Sequence, residues 1–569
     1  MQATQNNPKV IDGTLAEITN FPVGNMTAGT FFFARDVSAA YPNGRLFILD
    51  INGSARSWKE ITSSSQHPQT ARFIVGNALS GDTTADCTFL DPGDGSGIQA
   101  AIAAASLATR GDIFVRSGSY TRPSGAPAFT IPGNVTVRGS GSETKITGND
   151  TQRTIFLMLT GSSLKDLFLQ LPTPVAMGTT GSAAVVCQNN ATEILIQNVT
   201  VDFKNTFLAD SVRSAFSGNG NTKIRILDCV ATGGPVLSPN LFGDLISLFR
   251  FTSLKNSTLT GQSYVDTIFH ITGATSENLN IDVQGDCYKA ALLNDATNCN
   301  VKVLCKANWP SSDGDYGIMI VTEVTQSSFD CNIQNTSEAT VVGHSVLYLG
   351  SNTSNLSVRA NLSQANRGVT VLGSDITIHD SFIRTNGVTT AGTYGVYLEN
   401  TSDNVALVGS KVDGETCVFI QGTGHRISGC TIVTSLASSR GIHVNSNADR
   451  TNISASRIEG TTGILLEGLQ TQVSGCVVVA GDVGVSVTTN SNRSSVSGCF
   501  VSGTIFGIEI TGDRSMITGN NISSLPLGTG VDVNGVGSLY NSIVANSIVA
   551  SVPTADTGTG TIIADNQTL

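Results

Sequence analysis

The chain has 569 residues, 32 of them Lys or Arg and 43 Asp or Glu, giving a net charge of −11 with only 13% charged residues. An acidic balance without a basic stripe excludes the ordinary nucleic-acid binders. A 40% hydrophobic share with 60 glycines and 15 prolines excludes both disorder and collagen, leaving a large folded body built from several domains or from one elongated repeat.

The first residues, MQATQNNPKV, carry no basic segment followed by an apolar one, and no stretch approaches the roughly 18 apolar residues of a membrane span. Neither export through a signal peptide nor membrane insertion is expected. Two apolar runs, Thr30 to Val37 and Arg45 to Ile51, flank Pro42-Asn43-Gly44, a hairpin signal, and a polar boundary follows at 62–68. Residues 1–80 therefore read as a small β-rich module. Next, Ser96 and Gln99 fit a capping box, Ile98, Ile102 and Ala105 follow at helical spacing, and Arg110-Gly111 fits a helix end. A helix over 96–110 is predicted, covering the open edge of what comes after. The glycines at 93, 95 and 97 belong to no phosphate-binding motif, so no nucleotide or other cofactor is expected.

From about residue 240 a four-residue pattern recurs, as in Gly368-Val369-Thr370-Val371, Gly395-Val396-Tyr397-Leu398, Gly441-Ile442-His443-Val444, Gly463-Ile464-Leu465-Leu466 and Gly507-Ile508-Glu509-Ile510, with a period near 23 residues. A second motif follows each copy, for example Ile427-Ser428-Gly429-Cys430 and Val496-Ser497-Gly498-Cys499. Short β segments joined by Gly, Asn, Ser and Asp turns leave no room for a helix. The repeat specifies a chain that returns to the same place each period and stacks at the strand spacing, a parallel β-helix domain over residues 81–569 with roughly 20 coils from residue 112 on. Eleven scattered cysteines without a C-x-x-C pair read as buried thiols, neither a disulfide framework nor a metal site.

The stretch Asp91-Pro92-Gly93-Asp94-Gly95-Ser96-Gly97-Ile98-Gln99-Ala100-Ala101-Ile102, followed by Gly111-Asp112-Ile113-Phe114-Val115-Arg116-Ser117-Gly118-Ser119-Tyr120, resembles the opening signature of pectate-lyase-superfamily β-helices, shared by many bacteriophage tailspikes. Arg110 and Ser117 stand where that pattern has Gly and Pro. The resemblance implies an all-β, right-handed parallel β-helix behind a capping helix. It also implies a virion component assembled in the host cytoplasm, attached to other virion proteins through the leading module, and homotrimeric.

Fold does not fix chemistry. The chain has no Asp-Asp pair, no G-H-G and no adjacent acidic cluster, which disfavours polygalacturonase-like hydrolysis and calcium-dependent lyase chemistry. The remaining acidic pattern is positional. Leu248, Ile268, Ala290 and Gly317 read as strand anchors, and Asp244, Asp266, Asp286, Asp313 and Asp315 precede them. A column of carboxylates on successive coils, ~5 Å apart, matches the spacing used by glycosidases. Asp266, Asp286 and Asp315 are the candidate acid and base or nucleophile. Tyr264, His270, Trp309 and Tyr316 are the candidate sugar-binding residues. Asp before a strand is also ordinary turn chemistry.

The third repeat position reads Leu292, Met319, Tyr348, Tyr397, Phe419 and Leu465, an outward apolar line beside a first position that is mostly Gly; this is the surface expected to meet other subunits. The favoured function is a receptor-binding spike or fibre that recognises a bacterial surface polysaccharide, with its cleavage left open. The competing class is a non-enzymatic structural or decoration protein of the particle.

Overall fold

A computed structural model gives the fold. It describes residues 10–13, 31–34, 45–52 and 55–60, and 73–568 apart from 109–110, 123–124, 149–153, 172–182, 204–213, 234–245, 274, 309–316, 337–344, 364–366, 386–392, 435–438 and 536–537. The chain divides into two compact units, 1–72 and 73–569.

The first unit holds strands β1 (Val10–Gly13), β2 (Phe31–Ala34), β3 (Arg45–Asn52) and β4 (Ala55–Glu60), side by side in chain order. β2 and β3 run antiparallel with Phe31 opposite Ile48 and Ala34 opposite Arg45, so the two apolar runs pair as the hairpin signal requires. The Pro42-Asn43-Gly44 turn lies outside the described residues.

The second unit opens with β5 (Phe73–Asn77), β6 (Phe89–Asp91), helix α1 (Ser96–Leu107) and β7 (Gly111–Val115). β5 pairs in parallel with both β6 and β7, so residues 73–77, read from sequence as part of the leading module, belong to the solenoid's own sheet. Helix α1 buries Ile98, Ala101, Ile102 and Ala105 over the first coil. The capping box is not used. Ser96 already lies inside the helix, and Gly95 is the N-cap residue, with φ 78° and no side-chain bond. The orphan amides are taken instead by fully buried Asp91: Oδ1 accepts from Gly93 N (2.8 Å) and Gly95 N (3.0 Å), and Oδ2 from Gly97 N (2.8 Å) and Ile98 N (3.3 Å). The helix ends at Leu107 rather than 110, and Gly111 opens the first long strand.

After α1 the described residues form a parallel β-solenoid of about 16 turns, 67% of the structure being strand and 4% helix. Fewer turns than the roughly 20 expected are formed because the early coils are longer. Phe129, Phe156, Val185, Phe216 and Phe249 are successive register partners, separated by 27, 29, 31 and 33 residues. Later partners, Ile442, Ile464, Val485, Ile508 and Val531, fall 22, 21, 23 and 23 apart, which is the period visible in the sequence.

Each late coil turns at two similar corners. A residue in the left-handed region begins the bend, at Arg450, Gln470, Arg493, Arg514 and Tyr540 on one corner and at Gly475, Gly498, Gly519 and Ala545 on the other. The next residue is polar or Cys and points inward. In several coils its side chain accepts the amide of the equivalent residue one coil earlier: Cys499 N donates to Asn520 Oδ1 (2.9 Å), Asn520 N to Asn546 Oδ1 (3.0 Å), Asn546 N to Asn566 Oδ1 (2.9 Å), Thr471 N to Ser494 Oγ (3.2 Å) and Ser515 N to Asn541 Oδ1 (2.8 Å), whereas the hydroxyls of Thr451 and Thr471 are buried without a partner. Corner amides have no strand partner, and leaving one buried and unpaired costs about 1–3 kcal/mol. The inward thiols of Cys430, Cys476 and Cys499 occupy this position and are buried.

The first repeat position does not face out, as strict alternation predicts. It sits at the bend entering the strand, where two consecutive residues turn inward. A Cβ on Gly441 or Gly463 would lie 2.4 Å from Ile458 Cγ2 or 2.3 Å from Val478 Cγ1, so glycine is required by the interior and not by a docking subunit. The outward line survives at the third position with one change. Ile318, not Gly317, is the anchor, because Met319 is the register partner of Ala291 and Leu347 and is fully buried, while Ile320 partners Leu292 and Tyr348.

Candidate functional site

The seven sequence-predicted site residues divide by position. Asp315, Trp309 and Tyr316 lie outside the described residues, as do Asp244 and Asp313. Tyr264, Asp266, His270 and Asp286 are placed.

Asp266 is buried, 5% exposed, at the turn entering strand Thr267–Thr272. Its Oδ2 accepts from Ile246 N at 3.2 Å. Burial pushes its carboxyl up to about 6, the Ile246 amide opposing only in part. Around it, the hydroxyls of Ser247 and Thr267 are buried without a hydrogen-bond partner. His270 sits on the outward face of the same strand, between register partners Arg250 and Leu292. Burial, with the positive charges of Arg250 and Lys289, lowers its pKa to about 4, so at neutral pH it is an uncharged imidazole able to donate and accept. Tyr264 is 41% exposed, its hydroxyl donating to Gln262 Oε1 at 3.3 Å.

Asp286 does not join Asp266 in a carboxylate column. Tyr288 N and Lys289 N both donate to the Asp266 carbonyl, at 2.9 and 2.8 Å, so Tyr288 holds the equivalent place on the next coil. Asp286 belongs to the preceding strand, Ser276–Cys287, exposed and in register with Lys306. The turn before Lys289 is too short to carry Asp286 round the corner.

A second cluster, unmarked as a site in the sequence reading, lies further along the outward column that contains His270. Register runs from His270 through Leu292, Ile320, Tyr348 and Thr370 to Tyr397, Phe419 and His443. The rings of Tyr397 and Phe419 stack at 5.3 Å, and Phe419 meets His443 edge-on at 4.8 Å. Tyr394 closes on Tyr397 at 5.0 Å and Phe419 at 4.9 Å. Arg367 lies 4.1 Å over the Tyr397 ring, and its Nε is buried without a hydrogen bond. Phe419 and His443 are nearly buried, whereas Tyr394 and Tyr397 remain half-buried and present the open end of the stack.

Polar groups flank the rings. Tyr397 OH donates to Gln421 Oε1 (3.4 Å), and Gln421 Nε2 to Asn445 Oδ1 (3.5 Å). Arg440 Nη1 donates to His443 Nδ1 (3.1 Å), which fixes the other ring nitrogen as donor to Glu467 Oε2 (3.0 Å). Burial lowers the His443 pKa against the pull of Glu467, consistent with that neutral tautomer. Flat apolar faces beside hydroxyl, amide and carboxylate groups are what a sugar ring needs for stacking and hydroxyl recognition. The sequence signal for this cluster was the aromatic third position, read as a subunit contact. Among the described residues there is no group of three or more His, Cys, Asp or Glu placed to hold a metal ion, and no helix is long and apolar enough to cross a membrane.

No family model matches the chain, and no curated protein matches it. Solved structures do. It resembles phage tailspikes and β-helix enzymes. The Dettilon tailspike protein is 13% identical with TM-score 0.37, over 51% of this chain and 60% of that one, so the chain spans less than two thirds of its length. The tailspike of Acinetobacter phage vB_ApiP_P1 is 13% identical with TM-score 0.25, over 75% and 66%. The A-module of the mannuronan C-5 epimerase AlgE6 of Azotobacter vinelandii is 13% identical with TM-score 0.19, over 84% and 97%. At these values the likeness is confined to solenoid architecture.

Proposed function

We propose that this chain is a virion receptor-binding spike or fibre whose solenoid recognises a bacterial surface polysaccharide along the outward column running from His270 to His443. The observation that carries this reading is the stack of Tyr394, Tyr397 and Phe419 under Arg367, bordered by Gln421, Asn445 and Glu467. An inert spacer has no use for an aromatic column with a polar border, and so the structural-protein alternative is disfavoured. Cleavage, the further half of the reading, is assigned to Asp266 as proton donor, because burial keeps its carboxyl protonated into the range where a general acid works. With Asp286 on the preceding strand and facing solvent, Asp315 is left as the base or nucleophile, and Tyr264, Trp309 and Tyr316 contribute to sugar binding.

Location on the virion, assembly in the host cytoplasm and docking of the N-terminal unit to other virion proteins rest on the resemblance of the opening signature. The homotrimer rests there too. With the glycine column turned inward and the third-position column given to the glycan, the trimer rests on that resemblance alone. Light scattering of the full-length protein tests it, a mass near 59 kDa refuting the trimer. The function itself is tested by incubating purified protein with capsule and O-antigen preparations from candidate hosts, measuring binding and new reducing ends. Tyr397→Ala and Phe419→Ala should abolish binding while leaving the solenoid's circular dichroism unchanged. Undiminished binding in both sinks the assignment.

A further inference from the structure

The corner column that starts the bend between the first and second strands of each late coil carries arginine on three of them. Arg450, Arg493 and Arg514 have φ 54°, 60° and 54°, with Gln470 (53°) between the first two. Backbone bonds fix them in one line: Arg450 N donates to Leu469 O, Gln470 N to Asn492 O, Arg493 N to Asp513 O and Arg514 N to Leu539 O. The left-handed corner suits Gly or Asn, which hold it at Asn404, Gly424 and Gly560. Arginine gains nothing from that backbone conformation, so turn chemistry does not account for its use three times.

All three guanidinium side chains are exposed, in a chain whose net charge is −11. Asp449 Oδ2 lies 3.3 Å from Arg450 Nε, whereas Asp513, the residue before Arg514, accepts Leu539 N through Oδ1 at 2.8 Å. Arg493 and Arg514 have no carboxylate partner among the described residues. Two clefts run along the line. One of about 570 Å³ lies between Arg450 and Arg493, floored by Asn452, Gln470 and Gln472; the next, of about 390 Å³, lies between Arg493 and Arg514 beside Asn492 and Asp513. The amide oxygen of Asn492 is buried there without a partner, an acceptor awaiting a hydroxyl.

We propose that this corner is a second glycan subsite, selective for an acidic polysaccharide whose carboxylates repeat along the chain. Coil spacing sets the guanidinium groups ~10 Å and ~5 Å apart along the rod axis, a linear array that a chain of charged sugars follows and a single small anion does not need. The planar forks of arginine take carboxylates in pairs of hydrogen bonds, while the amides of Asn452, Gln470 and Gln472 reach sugar hydroxyls.

The inference deepens the polysaccharide reading and rests on it only in taking the ligand to be a saccharide. The test is fluorescence anisotropy of a labelled oligogalacturonate against the full chain. The native protein should bind it at low salt and lose about tenfold or more in affinity near 0.5 M salt. Arg493→Gln should weaken binding about tenfold, and the triple change of Arg450, Arg493 and Arg514 to Gln should abolish it. The methyl-esterified oligomer should not compete, nor should inorganic phosphate at equal concentration of charge. Arg493→Gly, which suits the left-handed corner, should keep or raise Tm while losing affinity, separating binding from folding. Native-like binding by the triple variant, equal competition by the ester, or displacement by free phosphate would each overturn the proposal. Retained binding of a neutral host glycan by that triple variant, alongside its loss in Tyr397→Ala, is expected if both sites exist. Failure of oligogalacturonate to bind the native chain would end this inference and leave the aromatic column standing.

Discussion

Asp266→Asn should stabilise the protein while removing any cleavage. In the unfolded chain this carboxyl titrates at 3.8; in the folded one burial raises it to about 6. The folded state therefore holds the proton more tightly. Stability from this group is complete below pH 3.8, falls as pH climbs from 3.8 to 6, and is gone above 6, where a buried carboxylate must be tolerated. Moving a pKa from 3.8 to about 6 corresponds to about 3 kcal/mol. Asparagine keeps an oxygen for the Ile246 amide and carries no charge, so at neutral pH it recovers a sum of that order. With an unfolding entropy of about 2 cal/mol/K per residue over the solenoid unit, this is a rise in Tm of about 3 °C. Calorimetry of both proteins at pH 4, 5 and 7 tests it. The gap should be near zero at pH 4 and widest at pH 7, while any release of reducing ends disappears in the variant at every pH. A variant no more stable than the native protein at pH 7, or a gap independent of pH, would show that Asp266 is not the destabilised acid described above.

His425, fully buried, accepts Val405 N at Nδ1 (3.2 Å) and places Nε2 2.7 Å from the Gln421 carbonyl, and burial lowers its pKa to about 4; stability should be lost as pH falls from 6.5 to 4, and His425→Asn, the residue type used at Asn541 in the same column, should flatten that acid limb in a pH series of Tm. Asn546→Ala strips the acceptor from Asn520 N and Nδ2 and should cost about 2–4 kcal/mol in equilibrium denaturation, whereas Asn546→Ser, which restores one acceptor, should cost less than half as much. Gly463→Ala forces a methyl to 2.3 Å from Val478 Cγ1 and should cost about 1–3 kcal/mol, while Gly475→Ala, also in a glycine-marked turn but with open space around it, should cost about 1–2 kcal/mol through its left-handed backbone alone; only the first should alter the near-ultraviolet spectrum of the core.

The solenoid was legible because its cause is local and repeated. Alternating apolar residues such as Ile442 and Val444 recur every ~23 positions, and glycine or asparagine marks each bend. Phase was harder. In Gly317-Ile318-Met319-Ile320-Val321 every residue after the glycine is apolar, so alternation cannot say which points inward, and the anchor fell one residue early. The glycine column was placed outside for a related reason, since the period-2 rule fails at a bend where two successive residues face the core. Site chemistry was less legible still. Asp266 and Asp286 look alike in sequence; only the stacking of coils buries the first and leaves the second in solvent. The arginine column was hidden because Asp-Arg at a turn resembles an ion pair, and only the backbone reveals that Asp513 is spent on an amide.

The corner ladder makes the rod extensible in whole units. Where the ladder forms, an inward corner residue completes the coil before it and offers its own amide to the coil after, so those rungs present the same unfinished edge. Excising one full rung, residues 463–483, would bring Gly441 and its neighbours against Gly484 with equivalent partners at both bends, as Val485 already follows Ile464 in register. Removing half that length would set corner amides against strand positions and leave them unpaired. The fold therefore works as a ruler marked in coils, and this excision, which takes Gln470 and Gln472 with it, would bring Arg450 from two coils to one coil of Arg493, closing the arginine line by ~4.8 Å.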